Sequence, residues 1–132
     1  MSGTVVDWDA LRASAVRAAQ LAYAPYSGLL VGVAGIMDDG REVLGCNVEN
    51  ASYGLGLCAE CTMAGQARLS GGGRLVAVAC RSGADELLMP CGRCRQILFE
   101  LGGGACLVDT PRGVLPMSEV LPDAFGPADL PG

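Results

Sequence analysis

The sequence predicts an α/β fold in which one sheet is covered by helices. Two features carry this prediction. After a first amphipathic helix, the apolar segments run in the order β-β-α-β-α-β-β, which suits a single sheet with helices packed on it. The segments are also sharply punctuated: Asp39-Gly40 is a hairpin signal, while Gly71-Gly72-Gly73 and Gly102-Gly103-Gly104 stop two helices. The chain has 132 residues, 51% apolar and 17% charged, which fits one domain, residues 1–132, with a core that needs no staples.

Taken in order, the spacing of Trp8, Leu11, Ala15 and Leu21 predicts a helix from Trp8 to Ala22 with Asp7 as its N-cap. Pro25-Tyr26-Ser27-Gly28 ends it with turn chemistry. Leu29 to Met37 is apolar and contains β-branched residues, a buried strand, and Arg41 to Cys46 returns as its hairpin partner. Asn47 to Tyr53 is dense in hydrogen-bonding side chains. It reads equally as a solvated loop or as a loop that contacts a ligand. The Cys58 cluster opens a second helix that runs to about Leu69, Leu75 to Cys80 is a buried strand, and Cys91 opens a third helix to about Leu101. Two short strands, Ala105 to Asp109 and Val114 to Met117, flank the turn Thr110-Pro111-Arg112-Gly113. Ser118 caps a brief helix, and the tail from Pro122 is a Pro/Gly-rich loop.

Composition narrows the chemistry. No apolar run reaches the length of a membrane span, and the first residues lack the basic start and apolar core of a signal peptide. A cytoplasmic location follows as the expectation, and there paired cysteines bind metal more often than they form disulfides. The cysteine count of seven is also odd, which a disulfide framework would leave unbalanced. All nine basic residues are arginines and histidine is absent, so a zinc site would have to use thiolates or carboxylates. The net charge is −5 and no basic cluster stands out, which disfavours a nucleic-acid polymer and favours a small uncharged ligand; no membrane partner is expected.

Four cysteines fall in two Cys-x-x-Cys pairs, Cys58-Ala59-Glu60-Cys61 and Pro90-Cys91-Gly92-Arg93-Cys94. Both pairs lie at the start of a predicted helix, where the dipole and free N–H groups favour thiolate. Cys58, Cys91 and Cys94 can hold one Zn²⁺ per chain and leave its fourth position open, as a catalytic zinc requires. Cys58-x-Glu60 with Pro90-Cys91-x-x-Cys94 fits the zinc-deaminase signature in an all-cysteine form. Glu60 is then the proton shuttle and not a ligand. The plainer reading of Glu60 is an acidic residue placed at a helix N-terminus by the dipole, but the downstream Pro-Cys-x-x-Cys outweighs it.

Tyr23-Ala24-Pro25-Tyr26-Ser27, Val31-Gly32, Gly45-Cys46-Asn47-Val48-Glu49-Asn50-Ala51-Ser52-Tyr53, both cysteine clusters, and Leu121-Pro122-Asp123-Ala124-Phe125 together resemble the cytidine deaminase family. The similarity is to its short-chain, homotetrameric, zinc-dependent branch and covers residues 22 to 125. It implies a single mixed five-stranded sheet flanked by helices, and hydrolysis of cytidine or deoxycytidine to the uridine product plus ammonia, a step of pyrimidine salvage. It further implies that Asn47 and Glu49 bond the ribose hydroxyls and that Leu29 and Ala59 lie in the substrate pocket. Ala51 and Tyr53 would lie at a neighbouring subunit's pocket, and Phe125 would reach another subunit's base.

Two positions depart from the family pattern. Leu29 stands where an aromatic usually stacks on the base, and Cys61 stands where an arginine often follows the catalytic glutamate. Arg93 or Arg95 is then expected to offset the thiolate charge, with Cys61 as a small buried residue. Two alternatives remain open from sequence. One is a non-enzymatic zinc module in which Cys61 closes a four-cysteine site. The other is a deaminase of a different cytosine nucleoside or nucleoside antibiotic.

Overall fold

A computed structural model describes residues 5–131. Helix α1 (Trp8–Ala19) opens on Asp7, whose Oδ1 accepts the Ala10 N–H at 3.1 Å. The chain then forms strands β1 (Val31–Met37) and β2 (Glu42–Cys46), helix α2 (Ala59–Leu69) and strand β3 (Leu75–Ser82). Helix α3 (Gly92–Gly102), strands β4 (Leu107–Thr110) and β5 (Gly113–Pro116) and the short helix α4 (Met117–Val120) follow, and single 3₁₀ turns lie at Tyr53–Leu55 and, in the tail, at Pro127–Asp129. The five strands make one mixed sheet in the order β2-β1-β3-β4-β5, in which only β3 and β4 run parallel. Among the described residues no helix is long and apolar enough to cross a membrane.

The strands alternate between two unlike faces. Ala34, Ala77 and Ala79 point to one face and pack against Leu11 and Ala15 of α1. Val33, Val78 and Cys80 point to the other, where Met63, Leu98 and Met117 make the larger core cluster. Period-two alternation forces this division, and the small alanines let α1 lie close to the sheet. Two glycines bring the backbones into contact. A Cβ added at Gly32 would collide with the Ala15 carbonyl of α1, and one at Gly45 would lie 2.6 Å from the Met63 nitrogen of α2. Gly45 therefore lets α2 press onto β2, which sets where the first turn of α2 sits.

The element boundaries differ from the sequence reading in several places, and four of these have an evident cause. Helix α1 stops at Ala19, not Ala22, and Leu21 is exposed, because Tyr23 leaves the helix to bond the Asn47 carbonyl at 3.0 Å. Strand β1 begins at Val31, not Leu29, since the preceding residues are tied to loop side chains. Strand β3 runs two residues further, to Ser82, because Val31 and Gly32 of β1 pair with Ser82 and Arg81. Ser118 lies inside α4 and does not cap it; Pro116 is the N-cap, and the Ser118 N–H donates to the Gly104 carbonyl at 3.0 Å.

Asp109 of β4 is buried, with its side chain 3% exposed, and links three elements. Arg12 of α1 donates from Nε and a terminal nitrogen at 3.0 Å each, and Arg81 of β3 donates at 3.1 Å. Burial alone would raise the Asp109 carboxyl, but the Arg12 hydrogen bond and both guanidinium charges outweigh it and leave it lowered. A lowered folded-state value means a contribution to stability that is present above the unfolded value and lost as pH falls through the folded one. Asp109→Asn should cost about 2–3 kcal/mol near pH 7, toward the lower end for a buried network because Arg12 is partly solvated. Denaturant unfolding across pH checks this: the wild type should lose stability as pH falls below about 4, and the variant should not show that decline.

Candidate active site

The catalytic candidates gather where the first turns of α2 and α3 meet on the larger core face. Cys58 is the N-cap of α2 and Cys91 the N-cap of α3, both in extended backbone, while Cys94 lies in the first turn of α3. The sulfurs of Cys58, Cys91 and Cys94 all lie within 4.8 Å of one another. Zn–S bonds of about 2.3 Å in a tetrahedron put sulfurs about 3.8 Å apart, so small side-chain adjustments fit these three to one zinc ion. Soft donors with no imidazole or carboxylate among them suit zinc and not a hard cation.

Their proton affinities are unequal. The Cys91 thiol is pulled down, first by the Cys94 backbone N–H, with the Cys94 thiol and the Arg93 N–H adding to it; both N–H groups are offered by the open end of α3. Burial pushes the Cys58 and Cys94 thiols up. A coordinated thiol is deprotonated outright, so metal binding releases those protons.

Glu60 lies in the first turn of α2 with 3% exposure, on the floor of a cleft of about 460 Å³. Its carboxylate raises the thiols of Cys80 and Cys94 after burial has done so, which puts it in their immediate neighbourhood. Cys80, buried on β3, was not singled out from sequence. The only available signal was strand alternation, which sends Val78 and Cys80 to one face. The cleft walls are Leu29, Val31, Leu88 and Met89, and Ala59 is buried in its lining.

Cys61 is not in the three-sulfur group. Its sulfur instead accepts from Arg93 at 2.9 Å, and that bond is the main cause of a raised Arg93 value, with Cys58 adding to it. The Arg93 guanidinium is thus held beside the thiol cluster from α3. Arg95 goes elsewhere: it donates to the Pro90 carbonyl at 2.8 Å and the Val120 carbonyl at 3.0 Å, bracing the entry to α3 against α4.

The loop residues divide in two. Asn47 and Glu49 line the cleft, and both also hold backbone: Asn47 bonds Leu29 and Val31, and Glu49 accepts from Tyr26 and Ser27. Ser27 lowers the Glu49 carboxyl through its hydroxyl, although sequence suggested only a turn residue there. Leu29 is half exposed at the rim. Tyr53 touches the cleft while 80% exposed and sits 6.1 Å from Tyr26, ring centre to ring centre. Ala51 and Phe125 are exposed and do not line this chain's cleft; Phe125 contributes only its carbonyl, to Gln96 at 2.7 Å.

If the three sulfurs are the ligand set, Cys91→Ala should lose nearly all zinc and Cys61→Ala should keep it, as read by elemental analysis of purified protein. Arg93→Ala should weaken zinc retention against a chelator by roughly 10–100-fold, the usual effect of removing an outer partner. Zinc loss in Cys61→Ala beyond that in Arg93→Ala would restore the four-cysteine alternative.

Comparison with known proteins gives one consistent answer. The sequence model of the family described as "Cytidine and deoxycytidylate deaminase zinc-binding region" matches residues 7–110. A cytidine deaminase of Mycobacterium tuberculosis is 56% identical over 126 residues, covering 96% of this chain and 95% of that protein. One from Halalkalibacterium halodurans is 38% identical over 134 residues, covering 95% and 98%. Among solved structures, the Mycobacterium tuberculosis cytidine deaminase superposes with a TM-score of 0.90 at 55% identity over 92% of this chain and 99% of that one. The Mycobacterium leprae enzyme gives 0.88 at 55% identity over 90% and 100%. Family match, near-complete coverage and a shared fold agree with the thiol geometry: this chain belongs to the cytidine and deoxycytidylate deaminase zinc-binding family.

Proposed function

We propose that this protein is a zinc-dependent cytidine deaminase, converting cytidine, deoxycytidine or both to the uridine product and ammonia. The carrying observation is a buried carboxylate, Glu60, beside three sulfurs at the floor of a cleft of about 460 Å³. Cys58, Cys91 and Cys94 would hold the ion. When bound, zinc supplies the Lewis acidity that makes water a nucleophile at neutral pH.

Hydrolysis at C4 of the cytosine ring forms one C–O bond, breaks one C–N bond and releases ammonia. Glu60 has the proton work. It accepts a proton from the attacking water and delivers it to the ring nitrogen N3, which makes C4 electrophilic, then takes the second proton from the hydroxyl now on C4 and passes it to the departing amine. Burial excludes competing water from its carboxylate. Leu29, Val31, Leu88 and Met89 give the planar base an apolar slot, and Asn47 and Glu49 offer the sugar its polar partners. Leu29 covers the ring without the stacking geometry of an aromatic pair. A net charge of −5 agrees with an uncharged nucleoside and not a polyanion.

The chain works as a single domain in the cytoplasm on this reading, and as a homotetramer with shared active sites. Leu55, Tyr53 and Phe125 are large apolar side chains left 66%, 80% and 60% exposed, and Tyr53 lines the cleft. Neighbouring subunits would cover it, and would give Ala51 and Phe125 a pocket to line. Light scattering should return about four chain masses; a monomer would remove the shared-site assignment of those two residues.

The activity itself is tested by ammonia release from cytidine with zinc measured in the same sample. Glu60→Gln should keep the zinc and the fold while turnover falls by at least ~10²–10⁴-fold, the range for a lost general acid and base. Near-normal turnover in that variant would hand the proton transfers to another group.

A further inference from the structure

The turn at Tyr26-Ser27 and the loop at Asn47–Glu49 are clasped together through side chains. The Tyr26 and Ser27 N–H groups donate to Oε1 of Glu49 at 3.0 and 3.2 Å, and the Ser27 hydroxyl donates to Oε2. The same hydroxyl accepts the Leu29 N–H at 3.1 Å. Asn47 closes the far side, donating to the Leu29 carbonyl and accepting from the Val31 N–H, both at 2.9 Å.

The inventory of donors and acceptors then decides what is left. A hydroxyl has one proton and two lone pairs, and a carboxylate has about four acceptor positions. The single Ser27 proton is committed to Glu49, and the Leu29 N–H fixes the hydroxyl's direction. Three of the carboxylate's positions are filled, two on Oε1 and one on Oε2, so one remains on Oε2. Glu49 faces both the catalytic cleft and an adjoining recess of about 330 Å³. The remaining position is therefore turned to ligand space and can take a single hydroxyl donor.

We propose that Ser27 is a positioning residue that orients the Glu49 carboxylate toward one sugar hydroxyl, and so sets discrimination against nucleosides that lack it. This rests on the cytidine reading given above. Without the Ser27 hydroxyl, Oε2 loses the one donor it has among the described residues and presents two positions to water. The carboxylate must then shed that water and choose an orientation each time substrate binds. The loss falls on binding and not on the bond-breaking step, so it belongs in KM. Leu29 loses one partner as well, but its N–H lies in an exposed segment where water replaces the bond.

The experiment compares the zinc-loaded wild type with Ser27→Ala and Ser27→Thr on cytidine and on 2′,3′-dideoxycytidine, with thermal midpoints recorded alongside. Ser27→Ala should raise KM for cytidine roughly tenfold and KM for the dideoxy compound less than about twofold, while kcat changes less than KM on both. Ser27→Thr, which keeps the hydroxyl, should recover most of the cytidine KM. Ser27→Cys, nearly isosteric with a far weaker donor, carries the same test should the alanine variant not fold. An equal rise on both substrates would reduce Ser27 to a purely structural turn residue and overturn the assignment, as would an unchanged cytidine KM. A wild type that releases no ammonia from cytidine removes the deaminase reading and this assignment with it. A wild type that does so, with Ser27 variants indifferent to the sugar, removes only the assignment.

Discussion

Three sulfur donors within 4.8 Å of one another concentrate negative charge once they ionise, and much of the molecule makes that concentration tolerable. Two of them are N-caps, where open backbone N–H groups and the helix dipole favour anions, and two such helix ends converge on one point. The Arg93 guanidinium, held by the Cys61 sulfur at 2.9 Å, supplies a full positive charge beside them. The convergence depends on the packing beneath it, since α2 reaches its position only because Gly45 leaves no Cβ between β2 and the helix.

The sheet supports this site by doing different work on its two faces. The alanine-lined face accepts α1 at close range and carries the buried Asp109 network, which ties α1, β3 and β4 into one body. The other face holds the bulkier cluster of Val33, Met63, Leu98 and Met117, and the cleft opens at its edge. Strand β3 joins the two functions residue by residue. Cys80 turns to the cleft while Arg81, one position on, turns to Asp109.

The cleft is stratified. Its floor carries the sulfurs and Glu60, on helix first turns; its rim carries Leu29, Asn47 and Glu49, on loops. Loops are less well fixed than helices, and here hydrogen bonds among the loops supply the missing rigidity. Asn47 and Glu49 therefore act twice, as braces of the 26–31 segment and as polar groups facing the cleft. That double duty explains why so many hydrogen-bonding side chains are packed into the short stretch from Asn47 to Tyr53.

The sequence alone determined the fold class, the strand and helix order and the two cysteine pairs with their glutamate. These rest on local physics: apolar periodicity, glycine and proline punctuation, and metal-ligand spacing within a helical turn. Boundaries were less legible, as at Leu21 and Ser118, because the competing partners there, the carbonyls of Asn47 and Gly104, come from distant parts of the chain. Tertiary structure alone decided the rest. It separated Arg93 from Arg95, two arginines equivalent by spacing, because only one side of α3 faces α2. It placed Cys61 outside the sulfur group, although a separation of three residues from Cys58 puts both on one side of a helix. It also turned Ser27 from a turn residue into a partner of Glu49, 22 positions away. Contacts between segments far apart in sequence leave no periodic trace, and so they are decided only when the chain has folded.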